Sequence, residues 1–410
     1  MRSTALVLFV LMCGPSSGAA QTASLNDVLT AARLPIAVRD GRLEGAGADV
    51  LKAAMSATPY VLIGEDHGLA EVPLFSAAVF RDMAARGVRD LVVEVGPEAG
   101  RRLTRLLDSA DPLAETSAWM RRYPFSLAFY NLDQELTFLR AARTAAGPGL
   151  RVTGVDQELM GASRMLLDSI GAKDPALPAL LARERVAYDQ ATTTGNPLDL
   201  FMLTGPADAL AALRDRLAGA GRAGDASRVA SLLDSREIYA LNAQSGFVSN
   251  LTRAALMKRY YVEQLPAARR ATPPPALFKL GASHVMKGIN TLHSREIGNY
   301  IAEIADGLGT PSLHILIMAV KGSQRRFAGV GKPYITAPID QAGPGVSDFP
   351  FAKSIFERAL REDGWSLFDF REMRRWAIRA PDVDPRLRDL LLGFDLAILI
   401  PEGTPSDEIR

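Results

Sequence analysis

The sequence predicts an α/β fold: a mostly parallel central sheet flanked by helices and interrupted by a helical insertion, or cap. Short apolar runs alternate with amphipathic segments of helical length, and the first run, Tyr60 to Ile63, is continuously apolar, as a strand covered on both faces is. Between residues 162 and 272 this alternation stops and only helical patterning remains. Alternating strands and helices imply right-handed parallel crossovers. At 410 residues, 48% of them hydrophobic, the chain has enough apolar content for a large core.

Residues 1–20 combine Arg2, an apolar run from Ala5 to Met12, and small residues before Gln21, the layout of a secretory signal peptide. The run is too short to span a bilayer. A periplasmic or secreted protein is expected, with no transmembrane helix in the mature chain. The single cysteine, Cys13, falls inside this leader, so the mature chain has no thiol for a disulfide framework, a zinc knuckle or a nucleophile. Met12 before it is bulkier than lipid-anchor processing favours. Without Arg2 the chain has 46 basic and 46 acidic residues, so no global field attracts nucleic acid or an anionic membrane. A small-molecule partner is expected, and the sequence sets no oligomeric state.

The first part of the core, residues 21–161, begins with a lead-in and a helical segment from Ala48 to Ser56, ended by Pro59. Tyr60 to Ile63 then form a strand closed by Gly64. The ionisable Glu65, Asp66 and His67 sit on the turn before a helix from Leu69 to Ala85, with Gly68 leaving room for close approach of a ligand. In open α/β sheets, ligands bind at such carboxyl ends of strands. The second strand, Asp90 to Val95, carries Glu94 near its end, where a carboxylate is costly unless paired. Helices are predicted over Glu98 to Leu107 and Leu132 to Ala145, and a third strand over Leu150 to Val155, followed by Asp156 and Glu158.

The cap, residues 162–272, has its longest helical segment from Asp225 to Leu265, with Arg253 and Met257 one turn apart. Pro273-Pro-Pro275 ends it. The second part of the core, residues 273–410, holds a strand from Ala276 to Gly281 leading into Ser283 and His284, a helix from Glu296 to Gly307 and a strand from Ser312 to Val320. A loop-like Gly- and Pro-rich span, 321–350, and a final strand from Asp395 to Ile400 complete it. There is no internal repeat.

Two familiar patterns are rejected on context. Gly14-Pro-Ser16-Ser-Gly18 matches the serine-hydrolase elbow but lies in the leader, without a preceding core strand. Gly219-Ala-Gly221-Arg-Ala-Gly224 matches the dinucleotide fingerprint but follows a helical segment where a strand is required. What remains is a set of groups after successive strands: Glu65, His67 and Glu71, then Glu94, then Asp156, then His284. A parallel sheet brings all of them, two of the four histidines included, to one edge, and that shared location points to a site. His293 reads as a helix-surface group and His314 as a mid-strand one. Arg253, taken alone, reads as a solvated helix charge.

Gly-Glu65-Asp-His67-Gly-Leu-Ala-Glu71 resembles the Gly-Glu-x-x-His-Gly-x-x-Glu signature of the erythromycin esterase family, one residue shorter between Glu and His. Gly154-Val-Asp156-Gln157, after a helix containing Glu135 and Arg140, resembles that family's Gly-Phe-Asp-x-Gln strand end. Arg253-x-x-x-Met257 is similar to its Arg-x-x-x-Met helix, and Gly281-Ala-Ser-His284 stands in the place of its second histidine strand. The resemblance runs from about Val61 to Ile400, and the same core is shared by the ChaN-type haem-binding lipoproteins and the Tiki-type metalloproteases. It implies an ester or lactone hydrolase needing no cofactor. His67 would be the general base, oriented by Glu65 or Glu94, with His284 and Arg253 facing the developing oxyanion and Glu71 and Asp156 helping to bind substrate. The alternative it implies is a binding protein for haem or a divalent metal, without turnover. Two histidines and several carboxylates suit such a metal, and Met257, Tyr260 and Tyr261 offer haem ligands.

Overall fold

In the computed structural model, residues 24–171, 173–332, 334–339, 349–360, 364–380 and 383–409 are described. The leader, Cys13 and the Gly14-to-Gly18 pattern lie outside them. Ten strands are described: β1 (Arg33–Arg39), β2 (Arg42–Glu44), β3 (Tyr60–Glu65), β4 (Asp90–Val93), β5 (Arg151–Gly154), β6 (Ala276–Gly281), β7 (Ser312–Arg326), β8 (Ile335–Pro338), β9 (Trp365–Asp369) and β10 (Leu396–Gly403). They form one sheet in the order β2-β1-β9-β10-β7-β3-β6-β4-β5, with β8 paired to β7.

The six strands from β10 to β5 run parallel, while β9, β1, β2 and β8 are antiparallel to their neighbours. Every residue of β3 and β6 is buried, which accounts for their apolar character apart from Glu65 and Lys279. The pleat sends Val61 and Ile63 into one apolar layer and Tyr60 and Leu62 into the other. Register then sets the site: Glu65 lies opposite Gly281 on β6, and Val93, just before Glu94, lies opposite both Gly154 and Lys279.

Residues between β5 and β6 are helical throughout their regular elements, as expected of the cap. Its apolar residues, Met165, Leu213 and Leu232 among them, join the same cluster as β3 and β4. The segment expected as one long helix from Asp225 to Leu265 is two, Ala223–Asn242 and Gly246–Gln264, because Ser245 restarts the helix by accepting from the Val248 N–H at 3.4 Å.

Other departures lie at the antiparallel margin. The lead-in contains the β1–β2 hairpin, turned by Asp40-Gly41 with both residues at positive φ, 49° and 67°. The span expected as a loop from residue 321 instead continues β7 to Arg326 and pairs it with β8; residues 340–348 within that span lie outside the described ones. Among the described residues, no helix is long and apolar enough to cross a membrane.

Candidate active site

β3, β4, β5 and β6 deliver their terminal groups to one edge of the sheet, where Glu65, His67, Glu94, Asp156, Arg253 and His284 meet. His67 Nδ1 lies 2.9 Å from Glu65 Oε1, and its Nε2 lies 3.5 Å from Glu94 Oε2. Its ring stacks on Phe129, centroids 4.0 Å apart and planes 14° from parallel. Phe129 is held at φ 61°, a strained value for a bulky residue of the kind found at functional sites. Gly281 completes the fit: a Cβ there would lie 3.0 Å from His67 Nε2 and 3.2 Å from Glu94 Oε2.

Glu94 is the hub. Its Oε2 accepts from the Gly281 N–H at 2.5 Å and its Oε1 from Arg253 Nη2 at 2.8 Å. His284 Nε2 is 3.5 Å from Oε1. Arg253 also donates to both Asp156 oxygens, at 2.8 and 2.5 Å, so the guanidinium read as solvated from sequence is a clamp on two carboxylates. The other His284 nitrogen faces Glu296 at 3.2 Å, and Glu296 accepts from Ser294 Oγ at 2.6 Å.

Beneath Glu65 lies a second layer. Lys279 rises from the middle of β6, buried, with Nζ 2.7 Å from Glu65 and 2.7 Å from Glu135. The network thus alternates in sign from Glu135 through Lys279, Glu65 and His67 to Glu94, then divides toward Arg253–Asp156 and His284–Glu296. Five carboxylates face four cations. The excess falls on Glu135, where burial, only partly opposed by Lys279, pushes the carboxyl up to about 7.

The pairings move the other groups as well. Burial opposes a charge on His67, but Glu94 and then Glu65 outweigh it and raise the ring to about 10. His284, opposed by burial and Arg253, is likewise raised to about 10 by Glu94 and Glu296. Burial works against Glu94 too, yet His284 and His67 hold it well below the usual carboxylate range. Lys279 and His67 do the same for Glu65, overcoming its burial. Both histidines therefore rest as imidazolium at neutral pH. A cavity of about 150 Å³ opens on this edge, lined by Glu94, Asp156, Arg253, Tyr239, Ser126 and Phe129 among others.

Three expected residues are placed differently. Glu71 stands apart: its carboxylate accepts from the Thr404 N–H at 3.0 Å and the Thr404 hydroxyl at 2.7 Å. His284 is buried, its side chain 6% exposed against 29% for His67, and both its ring nitrogens face carboxylates; like His67, which reaches the cavity wall through its stacking on Phe129, it does not itself line the cavity. The room beside Gly68, at φ 80°, is filled by backbone: its carbonyl accepts from the N–H groups of Arg325 and Ser406, each at 2.9 Å. Residues 404–409 thereby strap the His67 turn to the 131–134 loop, where Asp133 N–H reaches the Asp407 carbonyl at 2.8 Å.

The remaining histidines carry no site chemistry. His314 is mid-strand as expected; burial drives it down to about 3, and its Nδ1 contacts the Val285 carbonyl at 2.6 Å. His293 sits not on a helix but on a turn at φ 58°. The residues that offered themselves to haem are packed away: Met257 and Tyr261 lie in the layer around Phe278, and Tyr260 donates to Asp234 at 2.8 Å. Among the described residues, no group of three or more His, Cys, Asp or Glu is arranged to hold a metal ion. Each site carboxylate is already committed to a cation, so the donor set does not fit a metal or haem.

The sequence matches no protein-family model, and no curated protein matches it. Solved structures do. A crystal structure titled as a succinoglycan biosynthesis protein has a TM-score of 0.58 at 15% identity, covering 94% of this chain and 98% of that one. A Bacillus cereus protein has a TM-score of 0.56 at 15% identity with the same coverage. A histidine-to-asparagine mutant of erythromycin esterase EreC, in its open conformation, has a TM-score of 0.60 at 16% identity, covering 88% of this chain and 95% of that one. Over nearly its whole length, this chain has the α/β fold of erythromycin esterase.

Proposed function

We propose that this protein hydrolyses an ester or lactone bond, with His67 moving the proton. One observation carries the reading: in a network of buried charges, His67 combines a ring held by carboxylates on both nitrogens with a side chain still 29% exposed, against 3% for Glu65 and 7% for Glu94. Water attacks the carbonyl as His67 Nε2 takes its proton, and the same nitrogen returns it to the departing alkoxide. Glu65 steadies the imidazolium through Nδ1. Arg253, which lines the cavity, supplies positive charge beside the oxyanion, while His284 acts through Glu94.

A ring raised to about 10 must lose its proton before it accepts one, so turnover climbs with pH from neutrality toward that value. The test is an ester and lactone panel assayed between pH 7 and 10, with and without chelator, on the parent and His67→Ala. The expected result is parent turnover that ignores chelator and rises with pH. Parent rates no higher than His67→Ala across the panel would sink the proposal. The leader-like first 20 residues support export in this reading; full-length protein with Met1 intact in the cytoplasm of the native cell would overturn that part.

A further inference from the structure

Lys279 is the most unusual residue that the proposed chemistry leaves unused. It stands mid-strand in Ala276-Leu-Phe-Lys-Leu-Gly281, every residue of which is buried, and its own side chain is 1% exposed. An ammonium in such a place is costly unless charged partners lie close to it. Here they are: Glu65 from β3 and Glu135 from the helix Asp133–Ala146, each 2.7 Å from Nζ, with the rings of Tyr130 and Phe138 at 5.7 and 5.8 Å closing the sides. No water-exposed face is left for Lys279 to serve, and both Glu65 oxygens are engaged, one by Lys279 and one by His67.

We propose that Lys279 is a positioning residue for His67: anchored by Glu135, it fixes the Glu65 carboxylate beneath the imidazole and so sets the direction in which the ring presents Nε2. The geometry requires this order of dependence. Glu65 is buried, and without Lys279 its Oε2 would have no cationic partner. Burial then raises the Glu65 carboxyl and no ammonium fixes where it sits, so its hold on the Nδ1–H loosens. Loss of the ammonium by itself favours a charged ring, so the contact at Nδ1, 2.9 Å in the parent, and not the ring's midpoint, reports the anchoring. Glu94 on Nε2 and Glu65 on Nδ1 are the carboxylates facing the ring, and Phe129 covers its face.

The inference rests on the role given to His67, but its test reads the imidazole itself and so stands apart from any ester assay. Full-length chain labelled with ¹⁵N-histidine is titrated by NMR, the His67 signals being identified by their loss in His67→Ala. In Lys279→Met the Nδ1–H resonance is expected to move upfield and its exchange with water to quicken, as the fixed Glu65 acceptor is lost. Glu135→Gln, which keeps Lys279 on Glu65, should move both far less. Lys279→Met strands Glu135; if it fails to melt cooperatively, Lys279→Met/Glu135→Gln removes that stranded charge and is read in its place. An Nδ1–H resonance that stays at the parent position in a cooperatively melting variant overturns the assignment, whereas absence of ester turnover in the parent leaves it intact.

Discussion

Replacing Glu94 by glutamine tests the hub of the network at almost constant shape. The carboxylate makes two short contacts, from Gly281 N–H at 2.5 Å and Arg253 Nη2 at 2.8 Å, and two longer ones to imidazoles at 3.5 Å. An amide offers one oxygen, so its NH₂ must face either the Gly281 N–H or the guanidinium, donor against donor. Arg253 keeps both bonds to Asp156, so the charge is not stranded. The loss should be that of one charged hydrogen bond, about 1.5–3 kcal/mol, and not the ~3–5 kcal/mol of a buried ion left alone. His67 meanwhile loses the partner that raises it most and keeps Glu65 at 2.9 Å, so its midpoint should settle between 6.5 and about 10. Urea unfolding measures the first quantity and histidine NMR the second; the alkaline rise of any ester turnover should shift to lower pH with the midpoint. A folded Glu94→Gln protein whose His67 still titrates at the parent value would refute the view that Glu94 holds that proton.

Three further outcomes are expected. His67→Ala should lower kcat by about two to four decades while retaining a cooperative melt, because Glu65 keeps Lys279 and Glu94 keeps Arg253; a variant as fast as the parent would exclude His67 from the chemistry. Glu71→Ala should cost about 0.5–1.5 kcal/mol, the net worth of a hydrogen bond at an exposed Thr404 N–H that water can take over, and leave substrate affinity unchanged; a raised KM at unchanged kcat would return Glu71 to the site. Melting temperature should pass through a maximum and fall on both sides. The depressed carboxyls Glu65, Glu94 and Glu296 give their stability above 4.5 and lose it as pH drops through their folded values, while the raised His67 and His284 give theirs fully below 6.5 and lose it as pH climbs through about 10. A melt indifferent to pH from 3 to 10 would contradict the pairing.

The parallel centre of the fold is legible in the sequence because β3, β4, β6, β10 and the first half of β7 are buried, largely apolar runs, each closed by a change of chemistry, while β5 is placed by its alternation with the helices around it. The antiparallel margin is hidden for the opposite reason. Residues of β1 and β2 are largely exposed or half-exposed; the short apolar stretch Leu34–Val38 is interrupted by Pro35 and flanked by arginines, and the clearer signal is the Asp40-Gly41 turn. In the site, the residues at strand ends were readable from position alone, whereas Phe129 and Glu296 come from loops whose placement is tertiary. Lys279 had a local signal, a charge inside an apolar strand. Glu71 misled because adjacency in sequence to His67 is not adjacency in space: a helix start turns its side chain toward Thr404.

The strap over the His67 turn also bears on how the protein becomes competent. Glu71 and Thr404 are 333 positions apart, and the Gly68 carbonyl is held from Arg325 and Ser406, so the turn is closed only once β7 and β10 have docked. Contacts of such sequence separation repay the entropy of closing a long loop late in folding. An intermediate can therefore possess most of the sheet and the apolar core yet hold His67 on an untethered turn. Recovery of turnover during refolding should lag behind recovery of helical circular dichroism, and a nick between β7 and β10 should silence the protein before it unfolds it, which makes activity a gauge of completed topology.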